Sequence, residues 1–337
     1  MALHRSSGRW RLGLALALVT AGFWATLPAA LKIALADLDP WTLTWVRFGF
    51  AFVVLALWLG ARGRLAGFRG LSRGHWLLLA LAAASLIGNY LLYLIGLDRT
   101  TPGNAQLLIQ AAPLLMALGG IALFGERYGA GQWLGMAAIV AGLALFFRDQ
   151  ASASAAGPGY LAGSALVLAA AASWAVYALV QKQLLMRLGS ASILLVIYLA
   201  ATVVLLPLAD PAALLRLDSL ALLMVGYAAV NTLGAYGAFA EALAHWEASR
   251  VSAVLALTPV LAVATVELVH RLAPALLAAE TITAMGWIGA AMVVVGSVMS
   301  SLLRRRAIEL PVDLPEAAGS PAGADAVAPA RSRDSAP

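Results

Sequence analysis

The chain has no cysteine, only four histidines and few charges of either sign in 337 residues. Without cysteine there is no disulfide, no thiolate nucleophile and no Cys-based metal site, and redox chemistry has no obvious carrier. Charged residues make up 11% of the chain and apolar residues 62%, against about a quarter and roughly half in a soluble domain. No H-E-x-x-H, G-x-S-x-G or Walker pattern occurs, and His4, His75, His245 and His270 fall near the ends of apolar runs or in tails. An intramembrane enzyme therefore lacks a nucleophile with its base or a metal site, and an ATP-driven pump lacks its nucleotide module. No cofactor and no metal is expected.

What is present is apolar length. Mean hydropathy is +0.89, and the runs are continuous rather than alternating, which predicts membrane-spanning helices and not barrel strands. Ten such runs can be marked. The run 12–36 follows Arg5, Arg9 and Arg11 but is too long for the core of a signal peptide, so it reads as the first span. Lys and Arg in the connections set the orientation. With the N-terminus inside, fourteen fall on the inner side, among them Arg62, Arg73, Arg127, Lys182 and Arg304, and four on the outer side, Arg99, Arg148, Arg216 and Arg271. Both termini are then expected in the cytoplasm of a bacterial-type inner membrane. The net charge of +6 sits in short runs at the ends of spans, which fits anionic lipid headgroups and not nucleic acid. Residues 304–337, rich in Ala, Pro, Ser and Gly, are expected to form a disordered cytoplasmic tail.

The chain repeats itself. Trp24 and Lys32 recur 150 residues later as Trp174 and Lys182; Pro113, inside an apolar run, recurs as Pro259; and Glu126, Trp133, Gly135 and Gly142 recur with the same spacing as Glu280, Trp287, Gly289 and Gly296. Five spans per half is an odd number, so the second half must lie inverted relative to the first. The expected fold is an all-α integral membrane protein of ten transmembrane helices in two inverted five-helix repeats. Its expected parts are a cytoplasmic N-terminus 1–11, a first repeat 12–147, a periplasmic linker 148–158, a second repeat 159–303 and the tail.

Trp24-Ala25-x-x-Pro28-x-x-x-Lys32, then Asp39-Pro40-x-Thr42 and Arg47, with the stretch Thr100 to Phe147 that contains Gly125-Glu126, resembles EamA-type members of the drug/metabolite transporter superfamily. The resemblance covers roughly residues 12–303. It departs in the second half, where about eight extra residues separate Pro259 from Glu280 and no Gly precedes that Glu. It implies ten helices, both termini inside, and export of small metabolites or drugs.

Polar groups at membrane depth are costly and are the first candidates for a site. Gln106, Gln110 and Pro113 recur at i, i+4 and i+7 on the fourth helix; Asn89 and Tyr93 share a face of the third, and Tyr227 and Asn231 a face of the eighth. Trp24 on the first helix and Trp174 with Tyr177 on the sixth add aromatic surface. Either these residues line a central cavity or they tie helices together and fill belts. On the cavity reading, substitution of Gln110, Asn89 or Asn231 leaves packing intact. Pro113 and Pro259 are either moving or static kinks. Lys32 and Arg47 are expected to pair with Asp37 or Asp39, or else to bind a substrate carboxylate. Glu241 and Glu267, acids near the ends of spans, are candidates for proton coupling.

The expected activity is a secondary transporter exporting a small metabolite, such as an amino acid or related compound, or a drug, by alternating access; a passive facilitator or lipid flippase on the same scaffold is the alternative. A homodimer is compatible with this reading. Reporter fusions after residue 156 or 213 should read out the periplasm, and a cytoplasmic signal from both would break the ten-helix topology.

Overall fold

The computed structural model describes residues 9–63, 70–153, 159–246, 248–280 and 282–303; the proposed tail and most of the N-terminal segment lie outside them. The described residues are helical, with no strand, and include ten helices long and apolar enough to cross a membrane. Spans 1 to 5 are Trp10–Ala34, Pro40–Ala61, Arg73–Arg99, Pro102–Phe124 and Ala130–Gln150; spans 6 to 10 are Tyr160–Leu184, Ser190–Leu208, Ser219–Phe239, Arg250–Leu272 and Ala284–Leu302.

Helix ends are closed by local side chains, because the first N–H groups of a helix have no partner within it. Asp39 accepts from the amides of Trp41 and Thr42 at the head of span 2, and Pro40 fills a first-turn position that needs no donor. Ser72, Thr101 and Asp218 cap spans 3, 4 and 8 in the same way. Span 4 ends on Gly125 at φ 64°, a left-handed turn that suits glycine.

Spans 4 and 9 are each broken in the middle. Span 4 runs as Pro102–Leu108 and Ala111–Phe124, and the helix entering span 9 runs as Ala248–Leu255 followed by Thr258–Leu272. The cause is the proline just beyond each break, which has no N–H for the carbonyl one turn back. Around the first break the backbone tightens: Gln110 N–H reaches Leu107 O at 3.1 Å and Ala112 N–H reaches Ile109 O at 2.9 Å. The break interrupts the single face that Gln106, Gln110 and Pro113 share in an unbroken helix. It also occupies the carbonyl of Ile109, so Pro113 leaves no free main-chain acceptor there.

The helix packing carries the two-fold relation of the repeat. Span 1 packs on span 8 and span 6 on span 3; span 1 packs on span 9 and span 6 on span 4; spans 2 and 7, 4 and 9, and 5 and 10 pack on each other. Exchanging each span for the one five further along maps this set onto itself, as two inverted halves require. Glycines close the contact between spans 5 and 10. A Cβ on Gly135 would lie 2.7 Å from Gly296 O, and one on Gly296 2.5 Å from Gly135 O. Gly142 and Gly289 meet in the same reciprocal way, at 2.6 and 2.7 Å. Two backbones touch along this line, and any side chain would force them apart.

Candidate functional site: a central cavity with a buried arginine

A cavity of about 110 Å³ lies between spans 1, 2, 3 and 8. Trp24, Leu27 and Leu31 line it from span 1, Arg47 from span 2, Asn89, Tyr90 and Tyr93 from span 3, and Asn231, Thr232 and Tyr236 from span 8. Its size is well below the roughly 300–1,000 Å³ of drug-sized sites and suits only a small solute.

Arg47 is 4% exposed. Its Nε donates to Thr232 Oγ1 at 3.2 Å, and its guanidinium carbon lies 4.6 Å from the centre of the Tyr90 ring. These two contacts are worth about 2 kcal/mol each, no more than the several kcal/mol that desolvating an ion costs. No carboxylate among the described residues pairs with it, and the terminal guanidinium nitrogens make no hydrogen bond to those residues.

The two asparagines lie on repeat-related helices, spans 3 and 8, but at positions one turn apart: the 146-residue offset of these two helices carries Asn89 to Ala235 and Asn231 to Ser85. Asn89 Nδ2 on span 3 donates to Ala170 O of span 6 at 2.8 Å, and Asn231 Nδ2 on span 8 donates to Phe23 O of span 1 at 2.8 Å. Each amide lines the cavity and also ties two helices by a backbone carbonyl. The expectation that packing is independent of them therefore fails: among closely packed apolar helices an amide donor turns to the nearest carbonyl left accessible by small neighbours.

Outside the cavity, the repeat-related Lys and Glu residues lie at opposite membrane faces. At one face Lys182 forms an ion pair with Glu126 and sits 4.4 Å from the centre of the Phe124 ring. At the other, Lys32 and Glu280 stay apart. Lys32 Nζ donates to Leu97 O at 2.9 Å and Asp98 O at 2.6 Å, in the last turn of span 3, where a helix end favours a cation. Glu280 Oε1 accepts the amide of Gly103 at 2.8 Å, and a Cβ at Gly103 would collide with the carboxylate. Burial pushes the Glu280 carboxyl up from its usual range, against the opposing pull of the Gly103 amide, the Thr101 hydroxyl and the more distant Lys32 ammonium. At the same face Asp149, 1% exposed, accepts from the amide and hydroxyl of Thr283 at the head of span 10.

The EamA-like transporter family model matches residues 11–148 and again 161–302. The chain belongs to this family. An "Uncharacterized transporter" of Haemophilus influenzae is 34% identical over 291 residues, covering 86% of this chain and 95% of that protein. The "Uncharacterized inner membrane transporter YhbE" of Escherichia coli K12 is 33% identical over 296 residues, 87% and 92% of the two chains. A solved structure titled "Crystal structure of protein" superposes with a TM-score of 0.60 at 20% identity, over 89% of this chain and 99% of that one, and shares the fold. This EamA-like chain is thus a multi-pass membrane transporter.

Of the residues singled out by sequence, Trp24, Asn89, Tyr93, Asn231 and Arg47 come together around the cavity. The others lie elsewhere. Gln106 is buried and accepts from Tyr93 OH at 3.5 Å; Tyr227 OH bonds Thr26 and lies 3.4 Å from Asn231 Nδ2. Gln110 is half-buried at the break of span 4, while Trp174 and Tyr177 pack into the apolar core. Pro113 and Pro259 mark the broken spans. The pairing expected for Lys32 and Arg47 is absent, because Asp39 is committed to its helix cap and Asp37 is exposed. Glu241 is paired with His245 and Glu267 with Arg271, each one turn along its own helix; their side chains are 62% and 44% exposed. Tyr90, Thr232 and Tyr236 were not singled out, although Thr232 and Tyr236 are spaced one turn apart beside Asn231. Among the described residues no group of three or more His, Asp or Glu is placed to hold a metal.

Asn89→Leu and Asn231→Leu should each lower stability by about 0.6 kcal/mol and at most ~1.7 kcal/mol, whereas Gln110→Leu should have a smaller effect. Thermal midpoints of detergent-purified protein check this. Equal midpoints for all three variants and the parent would mean that the two amides do not hold helices together.

Proposed function

We propose that the chain is a secondary transporter that exports a small solute across the inner membrane by alternating access, with both termini in the cytoplasm. The observation that carries the reading is the unequal state of two repeat-related latches: Lys182 and Glu126 are paired at one face, while Lys32 and Glu280 are apart at the other. Inverted halves can exchange conformations, so the state that opens the first latch is the one that brings the second together. The excess of positive residues in the connections on its side supports a cytoplasmic position for the Lys182 latch. The cavity between the faces is where a solute waits during the exchange, and at about 110 Å³ it admits a short molecule in its present form.

Glu280 adds a pH response. Burial favours its neutral form here, so the present state is stabilised at low pH and loses that contribution as pH rises through the raised range of this carboxyl. The ionised form is stabilised where Lys32 comes close. Lys32 on span 1, Thr101 and Gly103 at the head of span 4 and Tyr160 at the head of span 6 surround it.

The absence of native cysteine makes the test direct. Leu27→Cys places one thiol in the cavity, and its labelling by an impermeant reagent is measured from each side of oriented vesicles. Glu126→Gln, which opens the cytoplasmic latch, should raise labelling from the cytoplasmic side several-fold and lower it from the other. Raising periplasmic pH should shift labelling in the same sense, and Glu280→Gln should remove that response. Labelling from both sides at once, unaffected by either variant, would mean a passive facilitator and sink alternating access.

A further inference from the structure

Arg47 is the one charged side chain lining the cavity among the described residues. Thr232 takes its Nε and Tyr90 its flat face, which leaves the two terminal nitrogens, a fork shaped for side-by-side contact with an oxyanion. The repeat shows that the fold itself does not need this charge. The 150-residue offset that relates Trp24 to Trp174 and Lys32 to Lys182 also relates Phe48 to Tyr198, whose rings stack at 5.5 Å where spans 2 and 7 meet. The residue before each ring is Arg47 in span 2 and Ile197 in span 7, and Ile197 is fully buried. The second half builds the same helix with an aliphatic side chain at the matching place.

We infer that the central site takes a small monocarboxylate without an amino group, its carboxylate on the Arg47 fork and its apolar body against Trp24, Leu27 and Leu31. This deepens the transport reading above and rests on it. A single buried cation balances one negative charge, whereas a phosphate group carries nearly two and meets no second cation among the lining residues. An ammonium group has no carboxylate there to balance it, and Arg47 repels it at low dielectric. Asn89 and Asn231 spend an N–H each on helix carbonyls, so their amide oxygens remain as acceptors for a hydroxyl on the body of the ligand.

The test uses the full chain purified in detergent, with 2-hydroxybutyrate as probe against 2-hydroxybutyramide, 2-aminobutyrate and inorganic phosphate. The acid should raise the thermal midpoint with saturation, and the other three should bind on the order of ten- to a hundredfold more weakly. Arg47→Gln should lose the same factor for the acid and none for the amide. Should that variant fail to fold, the comparison of acid with amide in the parent protein still decides. Equal binding of the amide, or preference for phosphate or the aminated acid, overturns the inference. So does a complete lack of acid binding, and if the labelling response of Leu27→Cys persists in that case, transport stands while the substrate class falls. Acid binding with no labelling response keeps the carboxylate site and overturns the transport reading instead.

Discussion

Backbone contact between spans 5 and 10 is the constraint on which the rest of the fold depends. Gly135 against Gly296 and Gly142 against Gly289 hold two helices closer than any side chain allows, and the reciprocity of the two contacts fixes a two-fold relation between the halves. Once that relation is set, span 1 must meet span 8 as span 6 meets span 3. The cavity follows from the same placement, because spans 3 and 8 bring Asn89 and Asn231 to it from opposite halves. In a lipid-like medium, where apolar side chains gain little by meeting one another, such close approach and the few interhelical hydrogen bonds supply most of the specificity of packing.

The same setting explains where the polar groups went. A donor at membrane depth turns to a carbonyl before it turns to an empty space, so the two asparagine amides bond Ala170 O and Phe23 O while still lining the cavity. Proline forces the opposite adjustment. Pro113 and Pro259 each remove a donor, and the chain tightens into a short break; at the first the amide of Ala112 takes up the carbonyl of Ile109, and at the second the amide of Leu257 turns to Val254 O, adjustments of the kind that irregular backbone inside a membrane protein needs.

The architecture was legible in the sequence because its causes are periodic: apolar length gives the spans, and repeated Trp, Lys, Glu, Pro and Gly spacings give the two halves. The site was legible in part. Trp24, Asn89, Tyr93, Asn231 and Arg47 stand out as polar or aromatic groups at depth, and they converge. Gln110 stands out in the same way, yet it lies at a break whose geometry depends on how the backbone relaxes around Pro113. Proximity in sequence misleads for charges: Asp37 and Asp39 are near Lys32 along the chain, but the carbonyls at the end of span 3 are nearer in space. Glu280 stands out in the sequence only as a marker of the repeat, and Asp149 not at all, because an acid near a span end is ordinary until a neighbouring helix buries it.

Symmetry then separates two kinds of charged residue. The lysine and glutamate of each latch occur in both halves, one pair at each face, an arrangement that suits the proposed cycle between two mirrored states, in which each face needs the same closure at a different time. Arg47 occurs once, opposite Ile197. A solute has no two-fold axis of its own, so the groups that recognise it gain nothing from being duplicated, and a second buried cation would cost desolvation without a second negative charge to offset it. On the transport reading proposed above, the duplicated pairs serve the exchange between states, and the unduplicated arginine serves the recognition of the solute.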